Sequence, residues 1–150
     1  MIDRVVPTGT ITLTLRDLVG NETVIVVANL IVDAGRGAIA AALTGSATSY
    51  PNYLGFGTGT TAAASGQTAL VTPANASWKA IGAKTLYSAY IASFDTTYGT
   101  SEANGSYTEI GIFAGASASY FSGTLFARAL ASITKTSTQS LTVNWRIQVA

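Results

Sequence analysis

The sequence predicts a mainly β protein, an antiparallel β-sandwich of the jelly-roll or immunoglobulin-like type, with one short α-helix around residues 34–44. About seven segments alternate apolar and polar residues or carry β-branched runs, as the strands of such folds do. Only one segment has the composition of a crossover helix, so we expect no parallel sheet. The 150 residues contain no repeat and no linker. We therefore expect one domain over residues 1–150, with an extended N-terminal arm at about residues 1–8.

The first two predicted strands form a hairpin. Thr10–Leu15 alternates Thr with Ile or Leu, Gly20 and Asn21 mark a turn, and the β-branched run Val24–Val27 follows. Because this run is apolar on both faces, we expect it to be covered on both sides.

The predicted helix covers residues 34–44. Asp33 stands at the N-cap position, the alanines that follow have high helix propensity, and Gly45 can adopt the left-handed conformation that ends a helix. The segment lacks a polar face, so we expect a sheet or a neighbouring subunit to pack on both of its sides.

The remaining elements are a long loop and four further strands. Residues 46–81 are rich in Gly and Pro and predict a loop that contains one short strand, Tyr53–Gly57. Asn104-Gly105 predicts a tight turn. Alternation or β-rich composition predicts strands over Thr85–Phe94, Tyr107–Phe113, Tyr120–Leu130 and Ser140–Val149.

The composition excludes several kinds of chemistry. The chain has neither Cys nor His, which rules out disulfides, thiolate metal sites, a cysteine nucleophile and Ser-His-Asp catalysis. The chain has no cluster of basic residues, so we expect no nucleic-acid partner. Polar residues interrupt the most apolar stretch, Val24–Leu43, so we expect no membrane span. We expect no cofactor, no metal and no enzymatic activity.

The low charge points to assembly. Only 10% of the residues are charged, and the net charge is +1. A surface so close to neutral favours association. We therefore expect a subunit whose surface is covered by copies of itself or by a larger assembly; the alternative is a small uncharged domain.

Two local patterns suggest sites. Gly55–Thr60 looks like a dinucleotide-binding loop, but its glycine spacing is wrong and no Lys is near, so we expect glycines that allow close backbone approach. Glu109 is the acidic residue in the middle of a strand, where alternation places it with Tyr107, Gly111 and Phe113. Because a buried carboxylate needs a partner, we predict a structural ion pair with the arginines of the neighbouring strands. The residues of that prediction are Glu109, Arg128 and Arg146.

The aromatic residues can serve a core, an interface or a sugar-stacking platform. We expect Trp145 in the core, because it stands in a strictly alternating strand. Tyr98 lies in a predicted turn and is the best candidate for an exposed contact, and the N-terminal arm can pair with a strand edge. The residues predicted to make assembly contacts are Val5, Val6, Tyr50, Tyr53 and Tyr98.

Several short motifs, in order along the chain, carry a family resemblance. They are Asn29–Gly35, Gly57–Thr61, Thr68–Leu70, Glu109–Phe113, Gly123–Arg128, Ile133–Thr136 and Leu141–Ile147. Over about Leu30 to Val149 this pattern resembles small structural proteins of tailed bacteriophages.

The resemblance implies a structural protein of the virion, assembled in the bacterial cytoplasm. The expected function is that of a head decoration (cement) protein that clamps neighbouring coat subunits. The alternatives are a tail, collar or baseplate-associated adaptor or fibre-base protein and, from another class, a glycan-binding module. The partners so implied are the major capsid protein or tail and collar proteins, together with copies of the chain itself, with a trimer as one possible homo-oligomer.

Overall fold

The structure is a computed structural model that describes residues 6–47 and 49–149. Within these ranges it has nine strands and one α-helix, so the mainly β class is confirmed. Most of the expected N-terminal arm lies outside the described residues, and Thr8 already belongs to the first strand. The elements are β1 (Thr8–Asp17), β2 (Glu22–Ile31), α1 (Asp33–Leu43), β3 (Pro51–Gly57), β4 (Lys79–Ala80), β5 (Ala83–Ser88), β6 (Ile91–Tyr98), β7 (Gly105–Ala114), β8 (Thr124–Lys135) and β9 (Gln139–Gln148).

The nine described strands form one antiparallel sheet in the order β4-β3-β7-β8-β2-β1-β9-β6-β5, curled into a half-barrel. The connection between its two halves is short, because β2 pairs with β8 only at Leu30 and Ile31. Short as it is, this pairing joins all nine described strands into one hydrogen-bonded sheet. The predicted sandwich, which needs two separate sheets, is therefore not confirmed.

The predicted hairpin is confirmed: β1 and β2 pair from Gly9 with Asn29 to Arg16 with Glu22. The expectation that β2 is covered on both sides is wrong for the described chain. Val24 and Val26 are 54% and 61% exposed. They point away from the inside of the half-barrel, and no described element packs over that outer face of β2.

The helix begins one residue earlier than predicted. Asp33 is its first residue, the extended residue Val32 precedes it, and no side chain caps its N-terminus. Gly45 does end it, with φ of 70°. One side packs closely on β8, because a Cβ on Gly35 would meet the Phe126 carbonyl oxygen. Leu43, in the last turn, is 85% exposed, and its cover by a neighbouring subunit stays a prediction.

The segment predicted as one strand over residues 85–94 is instead the hairpin of β5 and β6. The chain turns at Ala89 and Tyr90, so the alternation on either side belongs to two strands. Leu86 and Tyr90 are 77% and 62% exposed. This hairpin therefore presents apolar side chains at the end of the sheet.

The main core fills the inside of the half-barrel. Trp145, expected in the core, is fully buried there together with Leu13 and Ile112. A second, smaller cluster of Val32, Leu70, Phe113 and Leu125 lies apart from it. Strands β7 and β8 contribute to both clusters, so they are covered on both faces, and the buried ion pair lies between these two strands.

Candidate functional site

The position of Glu109 depends on an irregularity in the sheet. The register between β7 and β8 shifts between Tyr107 and Glu109. Tyr107 packs in the main core, with its ring centroid 5.1 Å from that of Phe56. The Glu109 carboxylate instead meets the loop of residues 58–72. The expectation that Glu109 shares a face with Tyr107 is therefore wrong, because alternation is interrupted at this point.

The Glu109 carboxylate holds both ends of that loop through backbone N–H groups. Oε1 accepts hydrogen bonds from the N–H of Gly59 at 3.0 Å and from that of Thr72 at 2.7 Å. Oε2 accepts from the N–H of Val71 at 3.0 Å and from Nε of Arg128 at 2.8 Å. Four donors thus surround a carboxylate with no exposed surface. We call this arrangement, Glu109 with Arg128 and the loop of residues 58–72, the carboxylate clamp.

Arg128 completes the clamp from β8. Its Nη2 lies 2.8 Å from Oε2 of Glu109 but is not aligned for a hydrogen bond, so charge attraction adds to the bond from Nε. Its Nη1 donates to Oε1 of Gln67 at 3.2 Å, and the same oxygen accepts the N–H of Ala64 at 2.9 Å. The arginine therefore fixes the middle of the loop while Glu109 fixes its ends.

The environment keeps Glu109 ionised. Burial raises the pKa of the Glu109 carboxyl, but the hydrogen bonds to the charged form outweigh burial and hold the pKa below its ordinary value of 4.5. The bonds with this effect come from Thr72, Val71, Arg128 and Gly59. At neutral pH the clamp is therefore an ion pair whose carboxylate is fully hydrogen-bonded, which suits a structural role.

The glycines of the Gly55–Thr60 segment make room for the clamp. A Cβ on Gly57 would lie 2.5 Å from Oε1 of Glu109, and one on Gly59 would lie 2.6 Å from the same atom. A Cβ on Gly55 would instead meet the ring of Phe121 at 2.7 Å. Close approach, as predicted, explains all three glycines.

Arg146 does not belong to the ion pair, so that part of the prediction is wrong. It stands on the outer face of β9, where its guanidinium lies 3.6 Å from the ring centroid of Tyr87. Its neighbour Trp145 takes the inner position, and alternation places the two side chains on opposite faces of the sheet.

The prediction that Tyr98 makes an exposed contact is also wrong. Tyr98 ends β6 inside the molecule, is 1% exposed, and donates its hydroxyl proton to the carbonyl of Ser77 at 2.6 Å. Strand β6 continues into the segment that we predicted as a turn, and this places the ring in the main core. Burial raises the pKa of Tyr98 well above its ordinary value.

The other predicted contact residues lie apart from one another. Val6 and Tyr50 are exposed, whereas Val5 lies outside the described residues. Tyr53 is half-buried and stacks on Trp78, with the ring centroids 4.9 Å apart. The Trp78 indole also donates to the carbonyl of Ser117 at 3.0 Å. Because Tyr98 is buried, it cannot contribute to the sugar-stacking platform that was one alternative for the aromatic residues.

A groove of about 200 Å³ opens between helix α1 and the β5–β6 hairpin; we call it the apolar groove. Its floor contains Ile39 and the largely buried Phe94, and exposed side chains of Tyr50, Leu86 and Tyr90 stand around it. None of the described residues that line it is charged. The groove can therefore bury apolar surface from a partner, and the polar side chains among the described residues that line it are the hydroxyl-bearing Ser49, Tyr50 and Tyr90.

Sequence reasoning predicted Arg128 but missed the other partners in the clamp. Gln67 and the backbone donors of residues 59, 71 and 72 come together only because the loop folds over β7. Backbone N–H groups exist at every residue except proline, so a sequence carries no signal for which ones meet a carboxylate. The one available signal was the glycine spacing in Gly55–Thr60.

The comparisons with known proteins add no family. No protein-family model matches the chain, and neither a curated protein nor a solved structure is significantly similar to it. Among residues 6–47 and 49–149, no group of three or more acidic side chains is placed so that it could bind a metal ion. In the same ranges no helix has the length and apolar character to cross a bilayer. The fold itself defines the chain as an antiparallel β protein with one helix.

Proposed function

We propose that this protein is a non-enzymatic structural subunit of a bacteriophage virion, and specifically a head decoration protein that stabilises the capsid by clamping neighbouring coat subunits. The observation that carries the proposal is the uncharged apolar groove with three large exposed side chains, Tyr50, Leu86 and Tyr90, beside it. Apolar surface of this kind is stabilised when a partner covers it.

The charge distribution supports the same proposal. The chain has few charged residues, and two of them, Glu109 and Arg128, are fully buried in the clamp. The surface therefore has even fewer charges than the composition suggests. A subunit packed among others in a particle does not depend on surface charge for solubility, whereas a free monomer does.

The clamp supports a structural function in a second way. A loop tied by four hydrogen bonds to a buried ion pair, three to Glu109 and one to Arg128, keeps one conformation, and fixed loops suit a subunit that must match its neighbours. Because the loop of residues 58–72 passes over β7, it adds a rigid outer layer to the sheet. A rigid subunit loses little conformational entropy when it binds to a lattice.

The test is the composition of purified particles. Tailed phage particles from the culture that carries this gene are purified on a density gradient, and the chain is quantified against the coat protein by mass spectrometry. A decoration protein is expected at hundreds of copies for each particle. A few copies would favour the tail, collar or baseplate alternative, and absence from the particles would contradict the proposal.

A second experiment tests the groove. Leu86→Ser and Tyr90→Ser are expected to weaken the binding of the purified chain to particles that lack it, because both remove apolar area from the same side of the groove. Tyr120→Ser is the matched control, since Tyr120 is equally exposed but does not line the groove. Equal loss in all three variants would show that the groove is not the contact.

A further inference from the structure

The edge of β2 that faces β8 is open over most of its length. Strand β2 pairs with β1 from Glu22 to Asn29, but with β8 only at Leu30 and Ile31. In the described ranges no other backbone group pairs with the second edge of residues 22–29. A row of unpaired N–H and C=O groups is a template on which another strand can bind.

The side chains along this edge favour pairing. Residues 23–28 are uncharged, and the exposed Val24 and Val26 stand on the outer face. The one charge, on Glu22, is already paired with Arg16, with 2.6 Å between Oε1 and Nη2. Proteins commonly protect an open edge with Lys or Pro. Strand β5, which ends the sheet, has such a residue in Lys84, but β2 has none.

We propose that this open edge of β2 binds the same edge of a second copy of the chain, in antiparallel orientation about a two-fold axis. The pairing itself is argued from the β2 edge alone. Its biological role, as a contact between subunits of a particle, rests on the proposed function. The two copies would join their sheets by backbone hydrogen bonds, and each would cover the outer valines of the other.

The sequence of the edge is self-complementary in one register. If Ile25 lies opposite Ile25 of the other copy, Val24 of each copy lies opposite Val26 of the other. The same register places Glu22 opposite Ala28, so no like charges meet. Opposed β-branched side chains stabilise an antiparallel pair, whereas opposed like charges destabilise it. A two-fold interface needs a surface that fits itself in this way.

Light scattering after size-exclusion chromatography tests the proposal on the full chain. The wild type is expected at twice its monomer mass of 15.3 kDa. Val26→Lys is expected at the monomer mass, because it places a charge on the edge of each copy. The control is Thr12→Lys, on the same outer face and directly opposite Val26, but on a strand paired on both sides, and it is expected to remain dimeric. Circular dichroism shows that each variant is folded.

A cross-link tests the register. The chain has no Cys, so Ile25→Cys introduces a single thiol that lies opposite its own copy and is expected to form a disulfide-linked dimer on mild oxidation. Leu18→Cys, at the exposed turn between β1 and β2, is the control and is expected to cross-link far more slowly. A monomeric wild type, an oligomer that Val26→Lys leaves intact, or equal cross-linking at the two positions overturns the proposal.

These results are separable from those for the proposed function. A monomer that is nevertheless found in purified particles would overturn the strand pairing and leave the virion function standing. A dimer through β2 that is absent from such particles would overturn the virion function and leave the strand pairing standing.

Discussion

The Arg128 guanidinium lies 2.8 Å from the Glu109 carboxylate, and neither side chain has exposed surface. The pair joins β8 to β7 and, through the backbone donors that Glu109 accepts, joins both strands to the loop of residues 58–72. Two consecutive strands and a loop that is distant from them in sequence therefore depend on one contact. A buried pair adds little net stability over an apolar pair of the same shape, but removing one partner leaves the other charged and uncompensated.

Replacing Glu109 is expected to destabilise the fold strongly. Glu109→Ala leaves Arg128 and three backbone N–H groups without their acceptor, and a loss of about 3–5 kcal/mol in the free energy of unfolding is expected. Chemical denaturation measures it, and light scattering reports whether assembly is lost as well. Unchanged thermal stability and an unchanged oligomeric state would show that the clamp has no structural role.

Arg128 and Arg146, the two arginines of the predicted ion pair, should contribute differently to the free energy of unfolding. Arg128→Met is expected to cost several kcal/mol, because it leaves the buried Glu109 charge unpaired. Arg146→Met removes only a surface contact with the Tyr87 ring, and a loss of at most about 1 kcal/mol is expected. Denaturation midpoints of the two variants decide the matter, and similar losses would argue against the assignment of the pair to Arg128.

Acid should weaken the clamp. The pKa of Glu109 in the folded protein is below the ordinary 4.5 that we take for the unfolded chain, so the unfolded chain binds the proton more readily. The contribution of Glu109 to stability is therefore complete above pH 4.5 and is lost as the pH falls through the lowered folded-state value. The measurement is the free energy of unfolding between neutral and acid pH.

Glu109→Gln is the control for this pH dependence. Among the described residues, two other carboxyls also have a lowered pKa, that of Glu102 through Lys79 and that of Asp17 through Asn21, so the wild-type curve alone does not isolate Glu109. The Gln variant should show a flatter dependence over the acid range than the wild type. Curves of identical shape would mean that Glu109 does not contribute.

Gly59 should not tolerate a side chain. A Cβ there would lie 2.5 Å from Cβ of Val71, as well as against the Glu109 carboxylate, so Gly59→Ala is expected to cost about 1–3 kcal/mol. The matched control is Gly37→Ala in helix α1, where a Cβ meets nothing within 4 Å. That change should stabilise by up to about 1 kcal/mol, because Ala favours a helix over Gly. Thermal denaturation that places both variants on the same side of the wild type would contradict the prediction.

The buried hydroxyl of Tyr98 should contribute to stability. Tyr98→Phe removes the donor to the Ser77 carbonyl and is expected to cost about 1–2 kcal/mol. Tyr120→Phe is the control, since Tyr120 is exposed and no described hydrogen bond depends on its hydroxyl. A Tyr98→Phe variant as stable as the wild type would show that the carbonyl of Ser77 finds another donor.

Local pattern predicted much of the secondary structure. Alternation located the β1–β2 hairpin and β9, and Gly45 ended the helix as expected. These features depend on residues that are close in sequence, and so periodicity and turn chemistry are sufficient. The β5–β6 hairpin was missed because such local signals were absent at its turn. Its turn at Ala89 and Tyr90 lacks the Asn and Gly that usually mark one, so the alternation looked continuous.

The amino-acid sequence by itself determined that the chain is mainly β with one helix, and that Glu109 requires a buried cation. Only the tertiary structure decided that this cation is Arg128 and that Arg146 faces outward, because the choice depends on the strand order and on the register shift between β7 and β8. It also decided that the loop closes over Glu109, that Tyr98 is buried, and that one edge of β2 stays open. Such features arise from contacts between residues far apart in the chain, which no local pattern records.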